Sequence, residues 1–264
     1  MENYIDINKQ SWNNRLESHL TSNFYDVPGF LNGKSSLNKI ELDLLGDIKG
    51  KKILHLQCHF GQDTISLSKL GAEVTGVDFS KMSIEKGISL AKELNTTTKF
   101  ICCNVYDLEQ HLDEEFDILF TSYGTISWLP DIDKWAALIS KYLKLGGEFI
   151  FVEFHPIVWA WDDDFTEIKY YYNNVEVIAE QETGTYADKK AAIKQSFVCW
   201  NHGIGEVVNN LVKNDLNILD LQEYNYSPYP FVNDTIKVAE KKYQINKFGD
   251  KLPLVYSIKA AKNM

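Results

Sequence analysis

The chain has 264 residues, hydrophobic side chains at 44% of positions and a formal net charge of −10. That length suits one α/β domain with an elaboration, or two domains at most, and is ample for a large core. The charge disfavours DNA or tRNA as partners, because their binding rests on phosphate neutralisation. No apolar run reaches the about 18 residues of a membrane-spanning helix, so no membrane partner is expected. The polar start, Met1 to Gln10, carries no signal-like segment, and a cytoplasmic location is expected. Cys58, Cys102, Cys103 and Cys199 lack metal-type spacing, and the vicinal pair is unsuited to an ordinary bridge; reduced thiols fit best. Aromatic residues reach 13%, with 14 Tyr and 6 Trp. Many lie outside the alternating core described next, which implies either an aromatic-lined pocket or packing of added elements.

A helix is expected over about 5–20, with Ile5, Trp12, Leu16 and Leu20 partly on one face. A loop with Pro28-Gly29 and Asn32-Gly33 follows. Ser36 is placed to cap a second helix through Leu45, with Leu37, Ile40, Leu44 and Leu45 as its stripe. Ile53-Leu54-His55-Leu56 is a short apolar run suited to a buried parallel strand. After the turn Gln57-Cys58-His59-Phe60-Gly61, a helix over 62–70 is stopped by Gly71. Glu73 to Asp78 forms a second strand that ends in an acid. Further on, a helix through Ile84, Ile88 and Leu94 precedes strands at Lys99–Cys103 and Phe116–Thr121. Asp131 begins a helix through Trp135, Leu138, Ile139 and Leu143. The turn Leu145-Gly146-Gly147 then leads into a strong strand, Glu148 to Phe154. This alternation predicts a parallel sheet covered on both faces. Past Pro156, Tyr170-Tyr171-Tyr172, Val175-Glu176-Val177 and Phe197 to Trp200 alternate like antiparallel strands. A helix from Ile204 to Val212, a strand over Leu216–Tyr224 and a last strand over Pro253–Ala260 complete the pattern.

The stretch from Lys51 to Ser80 reads strand, tight turn, helix, strand, acid. An acid ending the second strand of a βαβ unit can accept hydrogen bonds from a ribose diol cradled by the first turn. This stretch resembles the class I S-adenosylmethionine-dependent methyltransferases, in a bacterial branch that acts on small molecules. In that family the first motif is an acid followed by glycines at alternate positions. By position, the acid falls on His55 and the glycines on Gln57, His59 and Gly61, of which only Gly61 is glycine. The second motif matches at Gly76-Val77-Asp78-Phe79-Ser80, and the Gly146-Gly147 turn also matches. The resemblance implies one domain over 1–264 with a Rossmann-like seven-stranded sheet whose last strand is inserted antiparallel. It also implies an N-terminal helical lid over 1–46, whereas 156–200, outside the resemblance, is read from its antiparallel alternation as an insertion on the substrate side that should set the acceptor.

S-adenosyl-L-methionine is the cofactor that the resemblance implies. Methyl transfer from a sulfonium needs positioning and exclusion of water, with a base only where the acceptor must lose a proton, and it requires no metal. The expected cofactor contacts are Gln57, Cys58, His59, Gly61 and Gln62 in the first turn, with the methionine carboxylate at the N–H groups of the helix after it. Asp78 would hold the ribose and Phe79 pack on adenine, beside Ser80. Asn104 stands where the family has an acid for the adenine amino group, next to Val105. Asn104 also reads as a simple turn residue. Thr121, Ser122 and Tyr123 end the fourth strand, where cofactor and acceptor meet. Trp12 and Tyr25 are gate residues if the N-terminal helix is a lid, and packing residues if it is not. His55 on its strand reads as a buried, satisfied histidine. His155 is the first choice of proton acceptor, with Trp159 and Trp161 as walls, although it can equally order the Pro156 turn. His202 either caps a helix or enters the pocket, and Tyr123 is the third catalytic candidate. Asp162-Asp163-Asp164 reads as a solvated loop.

Thr121-Ser122-Tyr123-Gly124 replaces the Asn-Pro-Pro-Tyr type tetrapeptide of amide- and base-modifying members, which favours an O-, S-, C- or small-amine acceptor. A non-catalytic nucleoside-binding protein on the same fold is the main alternative, motivated by the replaced glycines. A nicotinamide-dependent oxidoreductase would need a Gly-x-Gly-x-x-Gly turn, and 57–62 offers only Gly61. Monomer and homodimer both remain open, since a strand edge within 165–200 serves a dimer as readily as a lid.

Overall fold

A computed structural model describes residues 3–263. Helices α1 (Tyr4–Thr21), α2 (Val27–Leu31) and α3 (Lys39–Leu45) precede β1 (Lys52–Leu56), α4 (Gln62–Lys69), β2 (Glu73–Asp78), α5 (Lys81–Glu93) and β3 (Lys99–Cys102). Then come β4 (Phe116–Ser122), α6 (Ile132–Tyr142), β5 (Leu143–Phe154) and α7 (Pro156–Trp159). The last third holds β6 (Ile178–Thr183), β7 (Lys194–Cys199), α8 (Ile204–Lys213), β8 (Leu216–Tyr224), β9 (Thr235–Ala239), β10 (Lys242–Ile245) and β11 (Val255–Lys262).

Seven strands form one sheet in the order β3-β2-β1-β4-β5-β11-β8. The first five pair in parallel, and β11 runs antiparallel to both neighbours. The chain steps outward from β1 to β3, then returns to start β4 on the other side of β1. That reversal leaves a crevice at the carboxyl ends of β1 and β4, where open α/β sheets take ligands. Both faces are covered. On one, Trp135 and Ile139 of α6 and Val207 and Leu211 of α8 pack on Leu54, Phe149 and Phe151. On the other, Leu37, Leu45 and Leu67 cover Ile53, Ile118, Phe120 and Ile150. Burial on both faces explains why β1, β4 and β5 read as continuous apolar runs.

Four local expectations are corrected. The second helix is capped by Asn38 rather than Ser36, whose hydroxyl instead meets Ser66 Oγ at 3.0 Å. Helix α1 buries Asn8, Ser11, Arg15, Leu16 and His19, while Ile5 is exposed. Asn8, Trp12 and Arg15 line a cavity, while Leu16 packs with Val27, Phe30 and Phe60, so the inward face is mixed rather than an apolar stripe. Tyr170–Tyr172 and Val175–Val177 are not strands; the antiparallel pair is β6 with β7, over Ile178–Thr183 and Lys194–Cys199. The β9–β10 hairpin lies in a stretch where the alternation predicted no strand.

Candidate active site

The loops after β1, β2, β3, β4 and β5 open on a cavity of about 1400 Å³. Ligand pockets usually measure roughly 300–1000 Å³, so this one has room for two molecules side by side. Helix α1, the segment before α2, the β6–β7 hairpin and the 228–233 loop wall its remaining sides.

The first turn keeps the backbone of a glycine turn without the glycines. Gln57, His59 and Gly61 have φ of 54°, 50° and 77°. Side chains rarely adopt this region, at a cost of about 1–2 kcal/mol per residue. The side chains that glycines lack help hold the turn. Gln57 Nε2 donates to the Thr125 carbonyl at 2.7 Å. His59 Nδ1 meets Ser83 Oγ at 3.1 Å, and His59 Nε2 meets His19 Nδ1 at 2.9 Å. At Gly61 no side chain is possible, since a Cβ would collide with the Phe100 ring.

Asp78 ends β2 and is tied to that turn. Its Oδ2 accepts from His59 N at 2.9 Å, and its Oδ1 from Ser80 N at 2.8 Å. Burial raises its carboxyl to about 6 despite these backbone donors. A carboxylate has about four acceptor positions, so free ones remain toward the cavity.

The roof is built from α1. Arg15 is buried, with its guanidinium carbon 5.1 Å from the Trp12 ring centroid and 5.4 Å from that of Trp128. It pairs with Glu182 of β6 at 3.0 Å. Asn8 acts as a strand residue toward β7, donating to Val198 O at 2.7 Å and accepting from Val198 N at 2.8 Å. The Tyr25 hydroxyl bonds that of Tyr186, and Gln62 Nε2 donates to the Tyr25 carbonyl at 2.9 Å. Burial lowers His19 to about 2 and His59 to about 3, with Arg15 acting in the same direction, so both rings are neutral.

Past β4, Tyr123 sits at φ 48°, its ring lining the cavity and its hydroxyl 3.1 Å from Glu41 Oε2. Glu41 is fully buried, and burial, reinforced by Asp63, raises it to about 7. Glu153 of β5 fixes the loop. Its carboxylate accepts from Gly124 N, from Thr125 N at 2.7 Å and from Phe154 N at 2.7 Å. Beyond it, Phe154 stacks on Phe231 at 3.8 Å, beside Trp159 and Trp161 in an aromatic chamber.

The cavity brings together Trp12, Tyr25, Gln57, Cys58, His59, Gly61, Gln62, Asp78, Phe79, Asn104, Val105, Ser122 and Tyr123. Four expected residues fall outside its lining. Ser80 caps α5, accepting from Ser83 N at 3.2 Å, and Thr121 donates to the Leu56 carbonyl at 3.2 Å. His155 caps α7 and meets Glu223 Oε1 at 2.7 Å. His202 lies 2.8 Å from the Leu129 carbonyl and 3.2 Å from Glu206. Both histidines serve packing rather than the cavity, which corrects the choice of them as proton acceptors. Asn104 Oδ1 accepts from Tyr106 N at 3.1 Å, the turn reading, although the residue still lines the cavity. The sequence reading passed over Asp63, Glu41, Tyr186 and Tyr229. Only Asp63 carried a signal, as an acid in the first turn of the helix after the turn. Among the described residues no group of His, Cys, Asp and Glu is arranged to hold a metal ion.

A crevice at the switch point of the β3-β2-β1-β4-β5-β11-β8 sheet, with β11 antiparallel, defines the class of protein: the class I S-adenosylmethionine-dependent methyltransferase fold. Residues 53–147, which hold the βαβ unit and the strands that carry the crevice, match the model of a family described as a methyltransferase domain. An uncharacterized protein of Haemophilus influenzae is 23% identical over 229 residues, 80% of this chain and 87% of that one. A ubiquinone biosynthesis O-methyltransferase of Idiomarina loihiensis is 26% identical over 148 residues, 54% of this chain; the match spans only 60% of that enzyme. Among solved structures, geranyl diphosphate C-methyltransferase of Streptomyces coelicolor superposes with TM-score 0.62 at 15% identity, covering 99% of this chain and 98% of its own. An S-adenosylmethionine-dependent methyltransferase of Clostridium acetobutylicum gives 0.57 at 16%, covering 97% and 99%.

Proposed function

We propose that the protein is an S-adenosylmethionine-dependent methyltransferase that acts on a small molecule. The observation that carries this is Asp78 bonded to the backbone of a first turn held at positive φ, at the mouth of a cavity large enough for donor and acceptor together. The cofactor supplies a methyl group already activated on a sulfonium. The chain's own residues fit it: Asp78 for a ribose diol, Phe79 and Val105 for an apolar ring, and Gln57, Cys58, His59, Gly61 and Gln62 along its length. Trp12 and Tyr25 cover it and exclude water, with residues up to 46 acting as the lid. The whole chain then works as one methyltransferase domain, and the 156–200 insertion shapes the acceptor side. Trp159, Trp161 and Phe231 favour an acceptor with a flat or apolar body. Tyr123 faces the junction of the two halves and is the remaining candidate for handling an acceptor proton.

One of these relatives is named for ubiquinone biosynthesis and one structural neighbour for geranyl diphosphate, both small-molecule chemistry, which supports a small-molecule acceptor for this chain. The charge of −10 argues against a nucleic-acid acceptor. No helix among the described residues is long and apolar enough to cross a membrane. A cytoplasmic location, as a monomer or homodimer, is part of the proposal and does not rest on that observation. Calorimetric titration with S-adenosylmethionine and S-adenosylhomocysteine, after any co-purified ligand is stripped, tests the reading. Micromolar one-site binding is expected, and no binding to either refutes it. The replaced glycines at Gln57 and His59 leave one other reading, a binding protein without turnover on the same fold. Release of S-adenosylhomocysteine with any acceptor would exclude that reading.

A further inference from the structure

Asp63 has no task in the reading above. It is the second residue of α4 and lines the cavity. Its Oδ2 accepts from Ser122 Oγ at 3.3 Å, at the end of β4. No cation lies within ion-pair distance of it among the described residues, and Lys241, on the same cavity, turns its Nζ toward the Leu37 carbonyl at 3.5 Å. Burial pushes its carboxyl up, only partly offset by Ser36, Ser122 and Lys241. Glu41 lies behind the same wall, close enough for the two carboxyls to act on each other. This wall is therefore rich in carboxylate and poor in cation, a state that a positively charged ligand group relieves.

The first strand supplies no charge here. His55 stands where the resemblance puts an acid; burial lowers it to about 3, so it is neutral, and its Nδ1 meets Thr64 Oγ1 at 2.9 Å. S-adenosylmethionine and S-adenosylhomocysteine both end in an amino acid, with an α-ammonium on a flexible arm beyond the ribose. Asp63 follows the turn tied to Asp78, bonds the β4 end at Ser122, and lines the same cavity as both. We propose that Asp63 is the partner of this α-ammonium, a carboxylate presented from the helix in place of one from β1. The inference rests on the methyltransferase reading. Asp63 also places an acid in the first turn of α4, where a helix N-terminus favours negative charge.

The test compares S-adenosylhomocysteine with 5′-methylthioadenosine, which keeps the nucleoside and thioether but lacks the amino-acid end. Dissociation constants are measured by calorimetry for the unmodified protein and for Asp63→Asn and Asp63→Ser. Both variants should lose S-adenosylhomocysteine affinity by about tenfold or more while 5′-methylthioadenosine shifts by less than about twofold. Retained nucleoside binding shows that each variant is folded. Unchanged S-adenosylhomocysteine affinity overturns the inference and leaves the methyltransferase reading intact, as does equal loss of both ligands. If the unmodified protein binds neither ligand, the methyltransferase reading fails and this inference fails with it.

Discussion

Replacing His55 should change how stability depends on pH, in a direction fixed by the sign of its shift. The ring is 3% exposed and falls from 6.5 to about 3, with burial as the cause. The unfolded chain therefore takes up the proton first. Stability from the neutral ring is complete above the unfolded value and is lost as pH falls below it. Between about pH 7.5 and about pH 5 the unfolded state gains about 2 kcal/mol from this one group. His55→Gln keeps a polar partner for Thr64 but cannot titrate. At neutral pH it should cost about 1–2 kcal/mol through altered packing on Phe120, whose ring lies 5.0 Å away. Toward about pH 5 that gap should close or reverse, by about 2 kcal/mol relative to the unmodified protein. Urea unfolding of both proteins at the two pH values, followed by tryptophan fluorescence, reads the difference directly. A gap that stays constant within about 0.5 kcal/mol would mean that the ring is not held neutral, and the argument that β1 brings no charge to the cavity would fail.

Two further outcomes follow from the site. Asp78→Ala removes the acceptor of the His59 and Ser80 amides as well as the proposed ribose partner, so S-adenosylmethionine binding should fall at least about a hundredfold by calorimetry. Unchanged affinity would sink the cofactor assignment. Asn8→Ala removes both hydrogen bonds to Val198 and should raise hydrogen exchange across β6 and β7 with a stability loss of about 1–3 kcal/mol. Equal protection in the variant would show that α1 does not hold the hairpin.

The parallel half of the sheet was legible because its strands are buried on both faces and leave unbroken apolar runs, as in Phe149 to Val152. Asp78 was legible because its place at the end of β2 is set by the same rhythm. The roof was not. Apolar periodicity reports faces that meet a core, and α1 also walls the cavity with Asn8, Trp12 and Arg15. Tyr186 and Tyr229 come from loops far along the chain, where no period links them to the first turn. His155 and His202 misled because a histidine at a strand end suits a cap as well as a catalyst. Here His155 is bonded to Glu223 and to the Ile157 amide, and the Nε2 of His202 to the Leu129 carbonyl.

The glycine-poor first turn is the point at which sequence and structure seemed to conflict, and its resolution says how the site is held. Glycine would let Gln57 and His59 reach positive φ without strain, at the expense of a looser turn in the unfolded chain. Side chains at those positions cost strain of about 1–3 kcal/mol each, and such strain persists only where the surroundings over-determine it. Here they do. Gln57 is bonded to the loop after β4, and His59 is bonded to α1 through His19, to α5 through Ser83 and to β2 through its own amide. A glycine turn would bind the cofactor with backbone alone. This turn ties the crevice to the roof, so covering the cavity and shaping the first turn are one structural event.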